Sequence, residues 1–345
     1  MKKILLTGSF GKFSREPFDI LEKAGLEPVQ IKGQLINTEE KLLSYLDREV
    51  AAVINGLEPV GEKVMAAATG LRLIVKHGVG VDNIDLEAAR RHGITVANTP
   101  GANRNGVADL AFGLMLAAAR KIPQADASVK AGEWKGFFGV SVYNRTLGIV
   151  GMGAIGKCMA LRAKGFSMRI LGYDPFWDAD FAGKNGVERC ELDELLKRSD
   201  FVTVHTPLLT STRGLINGRR LGLMKKSAVL INTARGEIID EAALCAALKN
   251  GDIAASALDA FSDEPLKTDS PLRKLDNIIL TPHIAFYNDE AMNATSLYAA
   301  NIAAQYFSGG AGEGGKKPPW LVLGIQQKNM AAREEKSKNA GSVDF

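Results

Sequence analysis

Cysteine is scarce in this chain: Cys158, Cys190 and Cys245 are its three among 345 residues, and none has the spacing of a metal ligand set. That excludes a disulfide-stapled scaffold or a zinc module and indicates a reduced set of cytoplasmic thiols. Long apolar runs are also missing. No stretch approaches the roughly 20 residues that cross a bilayer. The apolar run at the start stops after Leu6, with Lys12 and Arg15 following, so it reads as a first strand and not as a signal peptide. Charge of one sign is lacking too. With 43 Lys and Arg against 39 Asp and Glu, the net +4 gives no argument for a nucleic-acid or membrane partner.

What the chain does have is length for about two domains and a strong alternation of apolar runs with helical patterns. Strands are expected at 4–6, 28–31, 51–54, 73–75 and 94–96, with helices near 16–24, 38–46, 62–68 and 86–92. The alternation resumes after Thr146, with strands at 147–150, 168–173, 201–205, 228–232, 253–258 and 278–281. Such alternation marks parallel sheets wrapped by helices. Between the two halves, residues 103–130 read as one long helix, apolar enough to lie in a large core or against another subunit. A last helix is expected over 289–307, packing back on the first half.

The most informative stretch is Leu147 to Gly156, a buried-strand pattern running into a glycine turn that opens a helix. Gly151, Gly153 and Gly156 form G-x-G-x-x-G, the next apolar run ends in Asp174, and that acid lies 18 residues after Gly156. A turn of this kind brings backbone N–H groups and a helix N-terminus to a pyrophosphate, and the acid takes ribose hydroxyls. An acid there repels the extra phosphate of NADP, and no basic residue follows within 175–181. The pattern therefore points to NAD.

Ligands of doubly wound sheets bind beyond the carboxyl ends of the strands. Three polar stretches follow strands there: Thr233-Ala234-Arg235-Gly236, Asp259 to Pro265, and Pro282-His283. Singly, each has a plain structural reading as a surface ion pair, a turn or a loop histidine. Together they supply what hydride transfer at a hydroxyl needs: a fork for a carboxylate, a base for the hydroxyl proton, and an acid that sets the base. In the first half, the turn His77-Gly78-Val79-Gly80-Val81-Asp82 is either loop punctuation or a nest of N–H groups for an anion.

These motifs, with Asn98-Thr99-Pro100-Gly101, Asn232 to Gly236 and Thr281-Pro282-His283, resemble those of the D-isomer-specific 2-hydroxyacid dehydrogenases, most closely the phosphoglycerate-dehydrogenase-like branch, over roughly residues 1–307. The resemblance implies an α/β fold of two doubly wound parallel-sheet domains, with a Rossmann NAD-binding domain inserted in a flavodoxin-like substrate domain. The expected parts are 1–100 as substrate domain, 101–284 as NAD-binding domain, 285–307 as the returning helix, and 308–345 as a Gly-rich flexible tail, charged and disordered beyond 333. It also implies a cytoplasmic homodimer acting on a small 2-hydroxy or 2-keto acid, with 3-phosphoglycerate or hydroxypyruvate and glyoxylate as candidates. An NAD-sensing corepressor-like protein is the alternative of another class.

Carried over by position, the resemblance makes Arg235, Glu264 and His283 the catalytic set, with Arg235 and the N–H groups of Val79 and Gly80 on the substrate carboxylate. It places Ala154 and Ile155 at the pyrophosphate, Thr206 and Pro207 beside the adenosine part, and Thr233, Ala234, Arg235, Asp259 and His283 near the nicotinamide. His205 reads as a strand end and His92 as a solvent-facing helix residue. The loop Asn55 to Pro59 lacks arginines for a substrate phosphate, leaving Arg72, Lys76 and Arg104 as substitutes. For residues 319–323 the sequence leaves open whether they dock or stay exposed.

Overall fold

The computed structural model describes residues 1–31, 38–309 and 318–323, and the chain divides into two compact units. The first begins with β1 (Lys2–Leu6), α1 (Glu16–Lys23), β2 (Leu26–Gln30), α2 (Glu39–Leu43), β3 (Val50–Asn55), α3 (Glu62–Ala67), β4 (Leu73–Lys76), α4 (Leu86–Arg91) and β5 (Thr95–Ala97). The second unit, Arg104–Asn288, holds α5 (Arg104–Arg120), α6 (Ile122–Lys130), β6 (Thr146–Val150), α7 (Ala154–Lys164), β7 (Arg169–Tyr173), α8 (Ala179–Asn185) and β8 (Val187–Arg189). It continues through α9 (Leu192–Arg198), β9 (Phe201–Val204), α10 (Gly218–Leu221), β10 (Val229–Asn232), α11 (Glu241–Asn250), β11 (Ala255–Leu258) and β12 (Ile278–Leu280). The chain then returns to the first unit with α12 (Asp289–Phe307) and β13 (Leu321–Leu323).

The second unit's sheet runs β12-β11-β10-β9-β6-β7-β8, with all its described pairings parallel. The order reverses at β6, between β7 and β9, which is the switch point of a doubly wound dinucleotide fold. The first unit's sheet runs β13-β5-β4-β3-β1-β2. Its parallel part has the flavodoxin-like order. Strands in such sheets are covered on both faces and so read as continuous apolar runs. β3, Val-Ala-Ala-Val-Ile-Asn, is buried at all six positions.

The long apolar helix divides in two. Lys121 adopts the left-handed conformation (φ 53°), and Pro123 sits in the first turn of α6, where its missing N–H leaves no bond unmade. The apolar face of α5, with Ala108, Ala111, Phe112 and Met115, is buried in the second unit's core. α12 buries small residues, among them Ala291, Ser296, Ala299 and Ala303, and packs with α1 and β4.

Two short strands have no counterpart in the sequence reading. β8 has a single buried residue and carries too little alternation to register. β13 falls in residues 319–323, for which the sequence left docking and exposure open; it pairs antiparallel with β5, and Trp320 beside it is 5% exposed. An aromatic side chain supplies enough apolar area to hold so short a strand on a sheet edge. The rest of that tail, 310–317 and 324–345, lies outside the described residues. His92 also departs from expectation: it is partly buried, and its Nε2 lies 2.6 Å from Glu62 Oε1.

Candidate active site

The turn after β6 is shaped by close backbone approach. A Cβ on Gly156 would stand 2.0 Å from the Gly151 carbonyl oxygen, so the first turn of α7 packs directly on the glycine loop. At Gly153, by contrast, the place of a Cβ is open, and no side chain caps the helix. The N–H groups at the start of α7, from exposed Ala154 and half-buried Ile155, thus face an open cradle suited to an anion. Asp174 braces it. Its Oδ2 accepts from the Met152 N–H at 2.7 Å and its Oδ1 from the Phe176 N–H at 2.8 Å, which leaves further lone pairs on both oxygens for hydroxyl donors.

Next to this turn, at the ends of β9 and β10, three buried polar atoms have no hydrogen-bond partner among the described residues: His205 Nδ1, Thr206 Oγ1 and Thr233 Oγ1. Buried polar atoms are rarely left unpaired, and a group of them calls for an absent ligand. They fit a dinucleotide laid from the α7 cradle across the switch point. Thr206 and Thr233 are the residues picked from the sequence. His205, read there as a strand end, belongs with them. Burial lowers its pKa to about 3, so the ring is neutral, and its Nε2 lies 2.8 Å from Thr203 Oγ1. Pro207 is exposed beside Thr206.

Arg235, Glu264 and His283 follow three neighbouring strands, β10, β11 and β12. Asn232, fully buried, shapes the arginine turn. Its Oδ1 accepts from the Ala234 N–H at 3.0 Å and its Nδ2 donates to the Arg235 carbonyl at 2.8 Å. Gly236 then lets the next loop close in, since a Cβ there would stand 2.0 Å from the Phe261 carbonyl carbon. In that loop Glu264 Oε1 accepts from the Phe261 N–H at 2.9 Å, and Oε2 lies 2.7 Å from His283 Nδ1. Burial pushes the Glu264 carboxyl up, but the His283 hydrogen bond and charge, the Phe261 N–H and the charge of Arg235 outweigh it, so its pKa falls below the ordinary value.

His283 itself has φ 53°, a conformation few side chains adopt, and Asp259 holds it there. Asp259 is fully buried. Its Oδ1 accepts from Thr281 Oγ1 at 2.6 Å and the Ile284 N–H at 2.9 Å, and its Oδ2 accepts from the Ala285 N–H at 2.8 Å. Burial raises the Asp259 pKa against these bonds. In the structure the Asp259 carboxylate organises the 281–285 loop.

In the first unit, the turn after β4 presents Val79 and Gly80, whose N–H groups have no acceptor among the described residues. Their peptide planes are held from the carbonyl side. The Gly78 carbonyl accepts from the Thr99 N–H at 2.9 Å and Thr99 Oγ1 at 3.0 Å, and the Val79 carbonyl accepts from Asn98 Nδ2 at 2.8 Å. In a trans peptide the N–H opposes the carbonyl, so fixing these two carbonyls aims the Val79 and Gly80 N–H groups. Two N–H groups so aimed suit an anion.

A Rossmann unit with a dinucleotide cradle, a histidine–glutamate pair and an arginine at the strand ends defines a dinucleotide-dependent class of α/β protein. Residues 112–285 match the family model for the D-isomer specific 2-hydroxyacid dehydrogenase, NAD binding domain. The chain is 43% identical over 96% of its length to the D-3-phosphoglycerate dehydrogenase of Methanocaldococcus jannaschii, and the match spans 64% of that protein. It is 45% identical over 72% of its length to the glyoxylate reductase of Korarchaeum cryptofilum, covering 76% of that protein. The crystal structure of the Aquifex aeolicus D-lactate dehydrogenase with NAD and lactic acid superposes with a TM-score of 0.78 at 26% identity, covering 94% of this chain and 100% of that one. The chain belongs to the D-isomer-specific 2-hydroxyacid dehydrogenase family, and its second unit is the NAD-binding domain of that family.

Asp174 carries a direct test of the cradle. Asp174→Ala removes an acceptor for the ribose hydroxyls and frees the Met152 N–H from its brace. Charge-assisted bonds contribute about 1.5–3 kcal/mol each, so NAD affinity should fall by at least about tenfold and most of the preference over NADP should vanish. Fluorescence titration with NADH and NADPH reads both, and equal binding of the two by the unaltered protein would remove the assignment.

Proposed function

We propose that this protein is an NAD-dependent dehydrogenase that interconverts a small D-2-hydroxy acid and its 2-keto acid. The observation that carries this is the 2.7 Å contact between His283 Nδ1 and Glu264 Oε2, on strand ends beside Arg235 and the unpaired threonine hydroxyls. NAD supplies the hydride acceptor when bound. The protein's part is the proton and the orientation. His283 Nε2 takes the hydroxyl proton as the C–H bond yields its hydride, while Glu264 holds Nδ1–H and stabilises the imidazolium that forms. Arg235 binds the carboxylate with its fork and polarises the 2-oxygen. In the first unit, Val79 and Gly80 offer their N–H groups to a carboxylate. A complete arginine, glutamate and histidine set sets aside the corepressor-like reading.

Within this class we favour a keto acid without a phosphate, such as hydroxypyruvate or glyoxylate, over 3-phosphohydroxypyruvate. Of the cations offered against a phosphate, Lys76 is 4% exposed, with its ammonium on the Gly56 carbonyl and, at 2.8 Å, on Asn83 Oδ1. Arg72 donates to the Thr69 carbonyl at 3.1 Å. Neither of these two is presented for a dianion, and Arg104, at the start of α5, is the exposed one of the three.

We also propose a cytoplasmic homodimer. The three cysteines are buried free thiols, in keeping with a reducing compartment. Trp134 and Phe138 are 92% and 93% exposed on a segment pinned to the end of α5 by the Val140 N–H to Ala119 carbonyl bond. Beside them, Ile122 and Val129 on α6 are also exposed. Held aromatics in water mark an interface, and a second copy is the occupant we assign. In sedimentation, Trp134→Glu with Phe138→Glu should convert a dimer into a monomer. An unaltered protein that sediments as a monomer excludes the assembly.

A panel of glyoxylate, hydroxypyruvate, pyruvate and 3-phosphohydroxypyruvate with NADH tests the activity by loss of nicotinamide absorbance. Hydroxypyruvate or glyoxylate should have the highest kcat/KM, and turnover of none of the four would overturn the reading.

The Glu264 pKa is depressed, so its carboxylate is ionised at neutral pH, with Oε2 2.7 Å from His283 Nδ1. Glu264→Gln keeps the shape and removes the charge. Keto-acid reduction needs the protonated ring, so its kcat/KM should begin to fall at lower pH than in the parent. Oxidation needs the neutral ring, so it should persist to lower pH. Limbs that stay in place, or both move to higher pH, separate Glu264 from the proton transfer.

A further inference from the structure

β13 lies beyond the region covered by the motifs, and nothing in the reaction outlined above uses it. It pairs with the edge strand β5, Leu321 opposite Ala97 and Leu323 opposite Val96. Trp320, 5% exposed, is packed in the first unit's core with Val75, Ala97 and Ile302. The next contact outward is specific. The Trp320 carbonyl accepts from the Asn98 N–H at 3.0 Å, and Asn98 is the residue whose side chain holds the Val79 carbonyl at 2.8 Å.

Asn98 is thus gripped on one side by the C-terminal strand and on the other grips the peptide whose N–H belongs to Gly80. Thr99, fully buried, does the same for the Gly78–Val79 peptide, and its Oγ1 also accepts from the Gly78 N–H at 3.0 Å. We infer that β13, anchored by Trp320, is a positioning element for substrate binding: it fixes the Asn98 backbone, and Asn98 in turn aims the Gly80 N–H at the substrate carboxylate. Trp320 acts through Asn98 and touches no reacting atom. The inference rests on the assignment of Val79 and Gly80 to that carboxylate.

The effect should fall on substrate affinity. A lost brace of one hydrogen bond is worth about 1 kcal/mol, or about fivefold in an equilibrium constant. In the full-length protein, Trp320→Ala should raise KM for hydroxypyruvate about fivefold, leaving kcat and the NADH dissociation constant within twofold. Trp320→Phe should restore most of the loss. Asn98→Ala, which cuts the side-chain bond and leaves β13 docked, should raise KM to a similar degree. Amide hydrogen exchange at Asn98, Thr99 and Gly78 should speed up in Trp320→Ala. If Trp320→Ala empties too much core to fold, Leu323→Pro loosens the strand pairing instead.

Faster exchange at Asn98 with an unmoved KM overturns the inference, as does unchanged exchange at Gly78 and Thr99 once the strand is loosened. If the parent binds NADH but reduces none of the keto acids, the proposed activity fails, and the exchange comparison alone decides whether β13 orders the turn.

Discussion

A buried carboxylate holds the candidate site in its shape. Taking a charge out of water costs several kcal/mol unless donors replace the solvent, and Asp259, fully buried, collects three of them from one short loop. Two are the consecutive backbone N–H groups of Ile284 and Ala285, just after His283, so the carboxylate dictates the loop's course. His283, at φ 53°, occupies a conformation that the surroundings must impose. The imposed conformation sets Nδ1 against Glu264 and leaves Nε2 for chemistry. Glu264 is itself pinned by the Phe261 N–H, and the Phe261 backbone lies against Gly236, the residue after Arg235. Each side chain of the candidate set is therefore located by a neighbour outside that set.

The first unit applies the same economy with neutral groups. The turn after β4 offers two peptide planes, oriented from the carbonyl side by Asn98 and Thr99. The Asn-Thr-Pro-Gly stretch stood out in the sequence only through its resemblance to a family. The structure supplies its physical role: Asn98 and Thr99 are short side chains able to reach back to a turn one strand away. Carbonyls fixed this way leave N–H groups preorganised for a carboxylate, with no ordering needed when the ligand arrives.

Much of this was legible from residue order. The buried strands, whose apolar runs are continuous because both faces are covered, were found close to their true positions. The glycine turn and Asp174 were found because backbone approach to a phosphate admits few alternatives to glycine. What escaped was short, or local in space and distant in sequence. β8 and β13, three residues each, are too brief for periodicity. The break at Lys121 turns on one dihedral angle. The place of His205 among the unpaired atoms depends on what does not surround it, and no pattern along the chain encodes that.

By itself the sequence determined the class of each sheet and the dinucleotide turn, because periodicity and turn chemistry are properties of adjacent residues; Arg235, Glu264 and His283 were marked as a set by resemblance to a family. The tertiary structure alone decided which atoms meet. It made Asp259 the organiser of the histidine loop, committed Lys76 to Gly56 and Asn83, and drew Trp320 back onto β5. Each of these rests on a contact between residues far apart in the chain, where the partner is chosen by packing and by the need to satisfy buried polar groups, and neither is written in local order.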